Sequence, residues 1–475
     1  MKRILLAVLA LVTILACILL FNTFTLSSKQ IEAPPVALPE VPDSAYEHLA
    51  GAIRFPTISY SEDAVPDSTA FYGFHRYLEK TYPLIHANLQ KTLVHDYSLL
   101  YTWSGTDPKQ LPVILMSHQD VVPVDQPTLE KWEAGPFEGA ITETEIIGRG
   151  TLDDKSSLIA VMESVEKLLA EGYKPARTFY LAFGHDEEVG GGNGASYLAK
   201  HLKEMGVHAL LTLDEGGYIA EGMVPGVDQA VAFINLAEKG FSSFRLIVET
   251  NGGHSSNPPR ENTIGMLAQA IVDLENNQLP YKLVNPVDYQ LEYLGPELPF
   301  TQRLAFANPW LFKGPILKGM NAHTTTAPTI IEGGVKNNVI PTVAEATINF
   351  RILPGETIES VQAHIESVVN PAIRVEPVGF LTNPSPVSSV DSEGFKTLEH
   401  TIRSLFPGTV VIPGLVGGGT DARYFYEVSD DVYRFYPVRM GAKSMERFHG
   451  IDEKISKSNF DELIGFTYQF IKNLD

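Results

Sequence analysis

Acidic and imidazole side chains that could bind metal ions recur in five short segments of the chain. The segments are Ser117–Asp120 (SHQD), Arg149–Lys155 (RGTLDDK), His185–Gly191 (HDEEVGG), Leu213–Gly217 (LDEGG) and Phe448–Glu453 (FHGIDE). Together they offer two imidazoles and several carboxylates, the ligands that a pair of divalent cations needs, with one carboxylate to spare as a base. The inventory therefore indicates attack of water on an amide bond.

The first two segments contain a histidine and acids at informative spacing. His118 and Asp120 lie two residues apart just beyond an apolar run. On extended backbone this spacing places both on one face, so Asp120 could hold the second ring nitrogen of a ligand imidazole. A polar loop pair is the alternative. Asp153 could bridge two cations through its two oxygens, and either it or Asp154 could instead cap the helix that follows.

The other three segments supply further acids and the second imidazole. Glu187 and Glu188 are adjacent at a predicted strand end, and burying both is unfavourable without nearby positive charge. Their roles as one metal ligand and one proton shuttle would remove that penalty, whereas an exposed acidic turn is the alternative. Asp214 ends the run LLTLD, and Glu215, the next residue, is the alternative metal ligand. His449 would be an ordinary turn residue if it stood alone, but here it is the missing second imidazole.

The elements that must position these residues alternate between strands and helices. Strands are predicted at Val113–Met116, Thr178–Phe183 and Ala209–Leu213, and helices at Lys155–Ala170 and Ala195–Met205. Such alternation is typical of an α/β fold with a mainly parallel sheet covered by helices. Three of the acidic segments follow these strands, at the carboxyl ends where sites of such sheets lie.

A second pattern starts near residue 240. It reads β-α-β-β-α-β, which predicts an inserted α+β, ferredoxin-like domain. Its predicted elements are Phe241–Thr250, Thr263–Asn276, Thr324–Ile331, Glu345–Arg351, Thr357–Val369 and Ile373–Phe380. The Pro-rich stretch Leu279–Leu317 has no clear period and is expected to shape the substrate pocket. We therefore predict a catalytic domain in two parts, 44–239 and 382–475, with a dimerisation or lid domain at 240–381 between them.

The N-terminus differs from the rest of the chain. Lys2 and Arg3 precede an apolar run, Ile4–Phe21, that reaches the lower limit for spanning a bilayer. Residues 1–26 therefore form a signal anchor or a cleaved signal peptide, and the basic flank places the body of the protein outside the cytoplasm. Residues 27–43 read as a Pro-rich linker. The single cysteine, Cys17, excludes an intramolecular disulfide.

Composition restricts the classes of partner. The 475-residue chain is 44% hydrophobic, enough for a large core, and its formal net charge is −21. No basic patch is visible in the sequence that would neutralise phosphates, so nucleic acid is excluded as a partner.

The segments as a set resemble the dinuclear zinc metallopeptidase family that contains aminoacylase, carboxypeptidase S and the secreted N-fatty-acyl-amino-acid synthase/hydrolase. Three further stretches match it: Gly333–Pro341 (GGVKNNVIP), Ile348–Thr357 (INFRILPGET) and Gly417–Phe425 (GGGTDARYF). The resemblance covers nearly the whole chain after the linker. The residues of the motifs HDEEVGG and LDEGG, together with the N-terminal apolar segment, are most similar to the carboxypeptidase S branch.

This resemblance implies two zinc ions per subunit and a role for each site residue. It implies a ligand set in which His118 and Asp214 hold one zinc, Glu188 and His449 hold the other, and Asp153 bridges. It also implies that Glu187 is the general base, that Asp120 orients His118, and that the peptide between Asp153 and Asp154 is cis.

The resemblance also extends to substrate binding and to a partner subunit. It implies that His254 is donated across a homodimer to stabilise the oxyanion, and that the substrate carboxylate is bound by Arg351, by Asn321 or Asn338, and by Gly418 and Gly419. Substrates would be short peptides cleaved at a C-terminal residue, as in a carboxypeptidase. The alternatives are hydrolysis or synthesis of N-acyl amino acids and, least favoured, a non-catalytic binding protein on this fold.

Overall fold

The computed structural model describes residues 1–320 and 322–475, and within them a ten-stranded sheet is the largest layer. The strands in chain order are β1 (Gln90–Val94), β2 (Ser98–Trp103), β3 (Val113–His118), β4 (Ala140–Ile141), β5 (Glu145–Ile147), β6 (Phe179–Gly184), β7 (Ala209–Asp214), β8 (Ile219–Ala220), β9 (Val231–Glu238), β10 (Gly240–Glu249), β11 (Gly253–His254), β12 (Thr325–Gly333), β13 (Val339–Ile340), β14 (Val343–Ile352), β15 (Arg374–Pro377), β16 (Val410–Val416), β17 (Ser429–Arg434), β18 (Arg439–Met440) and β19 (Lys454–Ser456).

The chain begins with a helix, and further helices cover the large sheet and a smaller antiparallel sheet. In chain order they are α1 (Lys2–Thr25), α2 (Ser44–Ile53), α3 (Ser68–Thr81), α4 (Pro83–Asn88), α5 (Lys155–Ala170), α6 (Ala195–Glu204), α7 (Thr263–Asn276), α8 (Val287–Leu294), α9 (Phe300–Phe306), α10 (Pro309–Gly319), α11 (Ile358–Val368), α12 (Glu393–Leu405), α13 (Ala442–Arg447) and α14 (Lys457–Asn473).

The large sheet has a parallel centre buried on both faces. Its order is β1-β2-β6-β3-β7-β17-β9-β8-β18, with β16 paired to β9, and β6, β3, β7 and β17 run parallel. Val113 and Leu115 of β3 pack in the core that contains α5, whereas Ile114 and Met116 pack in the core that contains α6. Apolar residues at every position are what a doubly covered strand requires. The predicted α/β sheet covered by helices is confirmed.

The second sheet is antiparallel and has its own core. Its order is β12-β14-β10-β15, and β10, α7, β12, β14, α11 and β15 follow one another along the chain in the ferredoxin-like sequence. Apolar residues of the sheet pack against α7 and α11, with Phe244, Ile348 and Phe350 fully buried. The predicted inserted α+β layer is thereby confirmed in its element order.

The stretch Leu279–Leu317 differs from the prediction, because it contains α8, α9 and most of α10. Pro286 and Pro299 precede helices as N-caps, and Pro309 is the first residue of α10. Proline is favoured at a helix start, where no backbone N–H is required, so these prolines begin helices rather than exclude them. Tyr293 and Leu298 pack in the core of the large sheet.

The N-terminal segment is a long helix followed by an extended strap. Of the described residues, α1 is the one helix long and apolar enough to cross a membrane. The strap is tied to the body, since the Gln30 amide exchanges hydrogen bonds with the Val411 backbone at 2.7 and 2.8 Å, and Val36 N–H donates to the Ser404 carbonyl. The predicted linker is therefore tied to the body at these two points.

Candidate metal centre and active site

Ligand-type side chains meet at the carboxyl edge of the parallel strands. His118 ends β3, Glu187 begins a single 3-10 turn after β6, and Glu215 follows the end of β7. Because β3 lies between β6 and β7, these three strand ends are neighbours. Ligand atoms of His118, Glu187 and Glu215 lie within 4.8 Å of one another.

Asp153 lies between the two imidazoles. Its Oδ1 is 2.8 Å from His118 Nε2, and its Oδ2 is 2.7 Å from His449 Nε2. His449 Nε2 is also 3.3 Å from a carboxylate oxygen of Glu188. The peptide between Asp153 and Asp154 is cis, as the resemblance implies. One carboxylate therefore offers a separate oxygen beside each histidine, which is what a bridging ligand requires.

Asp120 is fully buried and fixes several neighbours at once. Its Oδ1 lies 3.3 Å from His118 Nδ1, the ring nitrogen that faces away from Asp153. The same carboxylate accepts backbone hydrogen bonds from Glu187 N at 3.1 Å and from Glu188 N at 3.2 Å. Asp120 thus orients an imidazole and holds the turn that presents the acid pair.

The structure separates Asp214 from Glu215. Asp214 Oδ2 accepts a hydrogen bond from Ala422 N at 2.9 Å. Among the described residues, the groups of possible metal ligands include Glu215 and not Asp214. The carboxylate beside His118 is therefore that of Glu215, whereas Asp214, the ligand that the resemblance implies, is hydrogen-bonded elsewhere. The reason lies far away in the chain, since the Asp214 carboxylate is bound by the backbone of the segment that follows β16.

A buried ion pair supports the loop that carries Asp153. Arg149 Nη1 donates to Glu453 Oε2 at 2.6 Å, and both side chains are almost fully buried. Glu453 Oε1 also accepts backbone hydrogen bonds from Gly150, Leu152 and Asp153 at 3.0, 2.7 and 3.2 Å. Two motifs 300 residues apart in the chain are held together in this way.

The second imidazole is presented by a tight loop. Arg149 Nη2 donates to the carbonyls of His449 and Gly450 at 3.2 and 3.1 Å. His449 has a φ of +58°. A Cβ at Gly450 would lie 2.3 Å from the Glu446 carbonyl oxygen, so only glycine fits there.

The electrostatics of the cluster fit bound cations. Burial raises the pKa of Glu187 to about 8 and that of Asp154 to about 8, and it raises the pKa of Glu188 and Glu215 well above the usual range. Neighbouring carboxylates raise these pKa values further. Acids gathered in a buried site require compensating positive charge. Asp153 has an imidazole on each side, and further carboxylates lie close to both imidazoles. Such a set of donors is suited to divalent metal ions such as zinc.

A cavity of about 390 Å³ opens beside the cluster. Gly418 and Gly419 line it, as the resemblance implies for a substrate loop. Much of the lining is apolar or aromatic and consists of Leu152, Tyr218, Val416, Tyr436, Val438, Met440, Met445 and Phe448. Residues 279–317 all lie in the described part of the chain, and none of them lines this cavity. The expectation that this stretch shapes the pocket is therefore wrong.

His254 and Asn338 lie together at a short two-stranded sheet formed by β11 and β13. His254 in β11 pairs with Val339 in β13, and Asn338 accepts a backbone hydrogen bond from Ser255 at 3.2 Å. Both residues are exposed, and in the described chain neither lines the cavity of its own subunit. Asn321, the other asparagine considered, lies outside the described residues.

Arg351 is half-buried on β14, with its guanidinium 4.7 Å from the centre of the Phe241 ring. The pKa of Arg351 is lowered by burial and by the nearby guanidinium of Arg423. Arg423 also acts on Glu187, where its charge opposes the rise in pKa. The positive charge of Arg423 therefore acts both on Arg351, the predicted carboxylate-binding arginine, and on Glu187 of the acid cluster.

Sequence reasoning did not single out three charged residues that lie close to the acid cluster, although it quoted the motifs that contain them. Arg423 and Asp421 are both part of GGGTDARYF, and Glu453 is part of FHGIDE. Asp421 is buried, and neither of its carboxylate oxygens has a hydrogen-bond partner among the described residues. The charged members of those motifs were the available signal.

Comparison with known proteins gives consistent matches. A model of Peptidase family M20/M25/M40 matches residues 114–473. The chain is 38% identical to "Probable carboxypeptidase S-like 2" of Dictyostelium discoideum, over 96% of this chain and 91% of that protein. It is 40% identical to "N-fatty-acyl-amino acid synthase/hydrolase PM20D1" of Xenopus tropicalis, over 90% of this chain and 85% of that protein. Among solved structures, an M20 family metallo-carboxypeptidase, Sso-CP2 from Sulfolobus solfataricus, superposes with a TM-score of 0.68 at 20% identity, covering 91% of this chain and 99% of that one.

Proposed function

The chain belongs to peptidase family M20/M25/M40, a family of metal-dependent hydrolases, and we propose that it uses two zinc ions to hydrolyse an amide bond next to a free carboxylate. The observation that carries this proposal is the position of Asp153, with one oxygen beside each of two imidazoles and Glu187 close to the same cluster. His118 and Glu215 would hold one zinc, His449 and Glu188 the other, and Asp153 both.

The cations and the protein divide the chemistry. Bound zinc ions polarise a carbonyl and lower the pKa of water. Glu187 takes the proton of the attacking water on its carboxylate and later gives it to the leaving amine nitrogen. Asp120 keeps Glu187 in place through the backbone of the acid turn and keeps the His118 ring oriented.

Arg351 would bind the free carboxylate of the substrate, because a guanidinium forms two parallel hydrogen bonds to a carboxylate. Its face is covered by Phe241, and the described part of the chain shows no acid within ion-pair distance of it. The arginine is thus available for a ligand. The substrate that follows from this is a short peptide cleaved at its C-terminal residue.

The apolar cavity favours N-acyl amino acids as a second substrate class. Aromatic and aliphatic side chains such as Tyr218, Met440 and Phe448 line the space beside the metal ligands. Burying a methylene group is favourable by about 0.8 kcal/mol, so such a wall would select long acyl groups. The same site chemistry serves both classes, since each has an amide next to a carboxylate.

We also propose a homodimer in which His254 of one subunit stabilises the oxyanion in its partner. The exposed position of His254, outside the cavity of its own chain, supports this. In the antiparallel sheet, β12 is an edge strand with Ile330 and Ile331 more than half exposed, at 54% and 62%. An exposed apolar edge strand is a surface that a second copy can cover.

The N-terminal helix is proposed as a retained anchor with the body outside the cytoplasm. Thr23, near the end of α1, is only 1% exposed, and the Asn22 amide donates to Asn308 Oδ1 at 2.9 Å. Removal of this helix would expose contacts that the body makes with it. Packing of the helix end therefore supports retention over cleavage.

A hydrolysis screen tests the activity. Full-length protein, chelated and then resupplied with zinc, is assayed on a panel of dipeptides and on N-acyl amino acids of increasing chain length. Glu187→Gln should lower turnover by about 10²–10⁴-fold and keep its zinc, because a positioned base contributes about that much. Glu143→Gln makes the same change at an exposed turn and should leave turnover unchanged. Full turnover of Glu187→Gln would refute the assignment of the base.

Mixed dimers test the shared site. His254→Ala and Glu187→Gln should each be impaired alone. In a mixed dimer, the subunit with alanine at 254 keeps its base and receives His254 from its partner. Unfolding and refolding an equal mixture should therefore restore about a quarter of the sites, by random pairing of subunits. No recovery would mean that His254 acts within its own chain.

A further inference from the structure

Three large apolar side chains form an exposed patch on the short helices α9 and α10. Phe300, Trp310 and Leu311 are 50%, 58% and 47% exposed, and we call them the α9–α10 patch. Exposure of three bulky side chains so close together on one helical pair is unfavourable in water and indicates a surface that something covers.

The patch lies where the N-terminal helix leaves the body. The ring centres of Phe24 and Phe300 are 6.0 Å apart. The Asn308 amide, at the N-cap of α10, donates to the Leu19 carbonyl at 3.2 Å and accepts from the Asn22 amide. Arg303 of α9 donates to the Leu26 carbonyl. The last turn of α1 is thus held directly by the two helices that carry the patch.

We propose that the α9–α10 patch is seated in the interfacial layer of the bilayer that α1 crosses. The inference rests on the proposed retention of α1 as an anchor. Since α1 is exposed over almost its whole length and ends beside the patch, the bilayer that surrounds α1 reaches Phe300, Trp310 and Leu311 as well.

The composition of the helices fits that position. Tryptophan is the side chain most typical of the membrane–water boundary, where its ring is apolar and its N–H remains hydrated. Lys313 and Lys318 are exposed on α10 and can extend their ammonium groups to the headgroups. At 7 and 11 residues, α9 and α10 are too short to cross the bilayer, so they lie on it.

The bilayer is a better occupant than a second copy of the chain. The dimer surface proposed above lies on β12, in the other sheet, and the α9–α10 patch is continuous instead with Phe21 and Phe24 of α1, which are 69% and 73% exposed. A membrane covers all five side chains at once. The consequence is a second point of attachment that fixes how the body is oriented on the membrane surface.

Tryptophan fluorescence tests the proposal in the full-length chain. Trp310 is the exposed one of the three tryptophans, since Trp103 and Trp132 are 5% and 8% exposed. The protein is reconstituted into phosphatidylcholine vesicles with or without brominated acyl chains and isolated by flotation. Brominated lipid should remove up to about one third of the emission of the wild-type chain, because one tryptophan of three reaches the interface. Trp310→Phe should lose this quenching, and Trp103→Phe, the same change in a buried strand, should keep it.

The outcomes separate the two proposals. Protein that floats and shows quenching that disappears in Trp310→Phe supports the interfacial patch. Protein that floats but is quenched equally in the wild type and Trp310→Phe overturns the patch and leaves the anchor intact. Protein that does not float overturns the anchor, and the interfacial patch with it.

Discussion

Replacement of Glu453 should lower both the stability of the fold and the affinity of the metal centre, more clearly than replacement of any other acid. Replacement by glutamine keeps the shape of the side chain and one carbonyl oxygen for the backbone N–H groups of Gly150, Leu152 and Asp153. It removes the negative charge that faces Arg149 at 2.6 Å. A buried guanidinium is then left without its counter-ion.

The expected loss follows from these contacts. Breaking one partner of a buried ion pair costs about 3–5 kcal/mol, because the remaining charge stays desolvated. Arg149 retains two hydrogen bonds to the carbonyls of His449 and Gly450, which places the expected value near the lower end, at about 3 kcal/mol. The loosened loop carries Asp153, so zinc affinity should also fall by about 10–100-fold, as it does when supporting partners of ligands are lost.

Urea unfolding followed by fluorescence measures the first effect, since the Trp132 ring lies 5.5 Å from the Arg149 guanidinium and reports this region. Titration of the chelated protein with zinc measures the second. Glu133→Gln is the matched control, because Glu133 is 54% exposed and its ion pair with Lys454 is 3.2 Å long. Lys454 keeps a second partner, Glu145 at 3.0 Å, so the loss in Glu133→Gln should be at most about 1 kcal/mol. The reasoning is refuted if Glu453→Gln loses no more free energy of unfolding than Glu133→Gln and binds zinc as tightly as the wild type.

Three further predictions concern separate features. Glu215→Gln should lose one zinc of two, whereas Asp214→Asn should keep both because an amide oxygen can still accept from Ala422 N–H; elemental analysis after dialysis decides between them. Burial raises the pKa of Glu399 from 4.5 to about 7, so the folded chain binds this proton more tightly and stability should fall as pH rises from about 4.5 to 7. Glu399→Gln should remove that fall, a gain of about 3 kcal/mol in the free energy of unfolding at pH 8. Ile331→Lys should give monomers in light scattering with little activity, and an active monomer would contradict the shared site.

The elements that the sequence predicts well are those whose burial is uniform. Helix α5 has the predicted bounds, Lys155–Ala170, because its apolar spacing matches a face packed on the sheet and Gly172 follows its end. Strand β3 reads as an apolar run because both of its faces are covered. Periodicity carries this information directly, so no tertiary knowledge is needed.

The sequence pattern did not predict helices α8, α9 and α10, because the stretch is rich in proline and has no clear period. Their apolar residues divide between the large core, the end of α1 and solvent, so no single face repeats at the helical period. Proline in a sequence does not indicate by itself whether it precedes a helix or replaces one. Tertiary contacts with the N-terminal helix decide this, and they lie almost 300 residues away in the chain.

The choice between Asp214 and Glu215 shows a second limit. Adjacent residues at a strand end point in different directions, so one of them faces the cluster and the other faces away. Which one does so is set by Ala422, whose backbone N–H takes the Asp214 carboxylate from 208 positions away. Local sequence contains two acids of equal chemistry, and only the distant loop distinguishes them.

Each buried supporting acid of the centre serves more than one ligand. Asp120 holds the His118 ring and also the backbone of both acids that follow β6. Glu453 holds the Asp153 loop and, through Arg149, the carbonyl of His449. The positions of the proposed ligands are therefore set by the protein's own hydrogen bonds, and a bound metal ion would find them already assembled. A centre built in this way should lose metal affinity when either supporting acid is replaced, although neither would touch the metal.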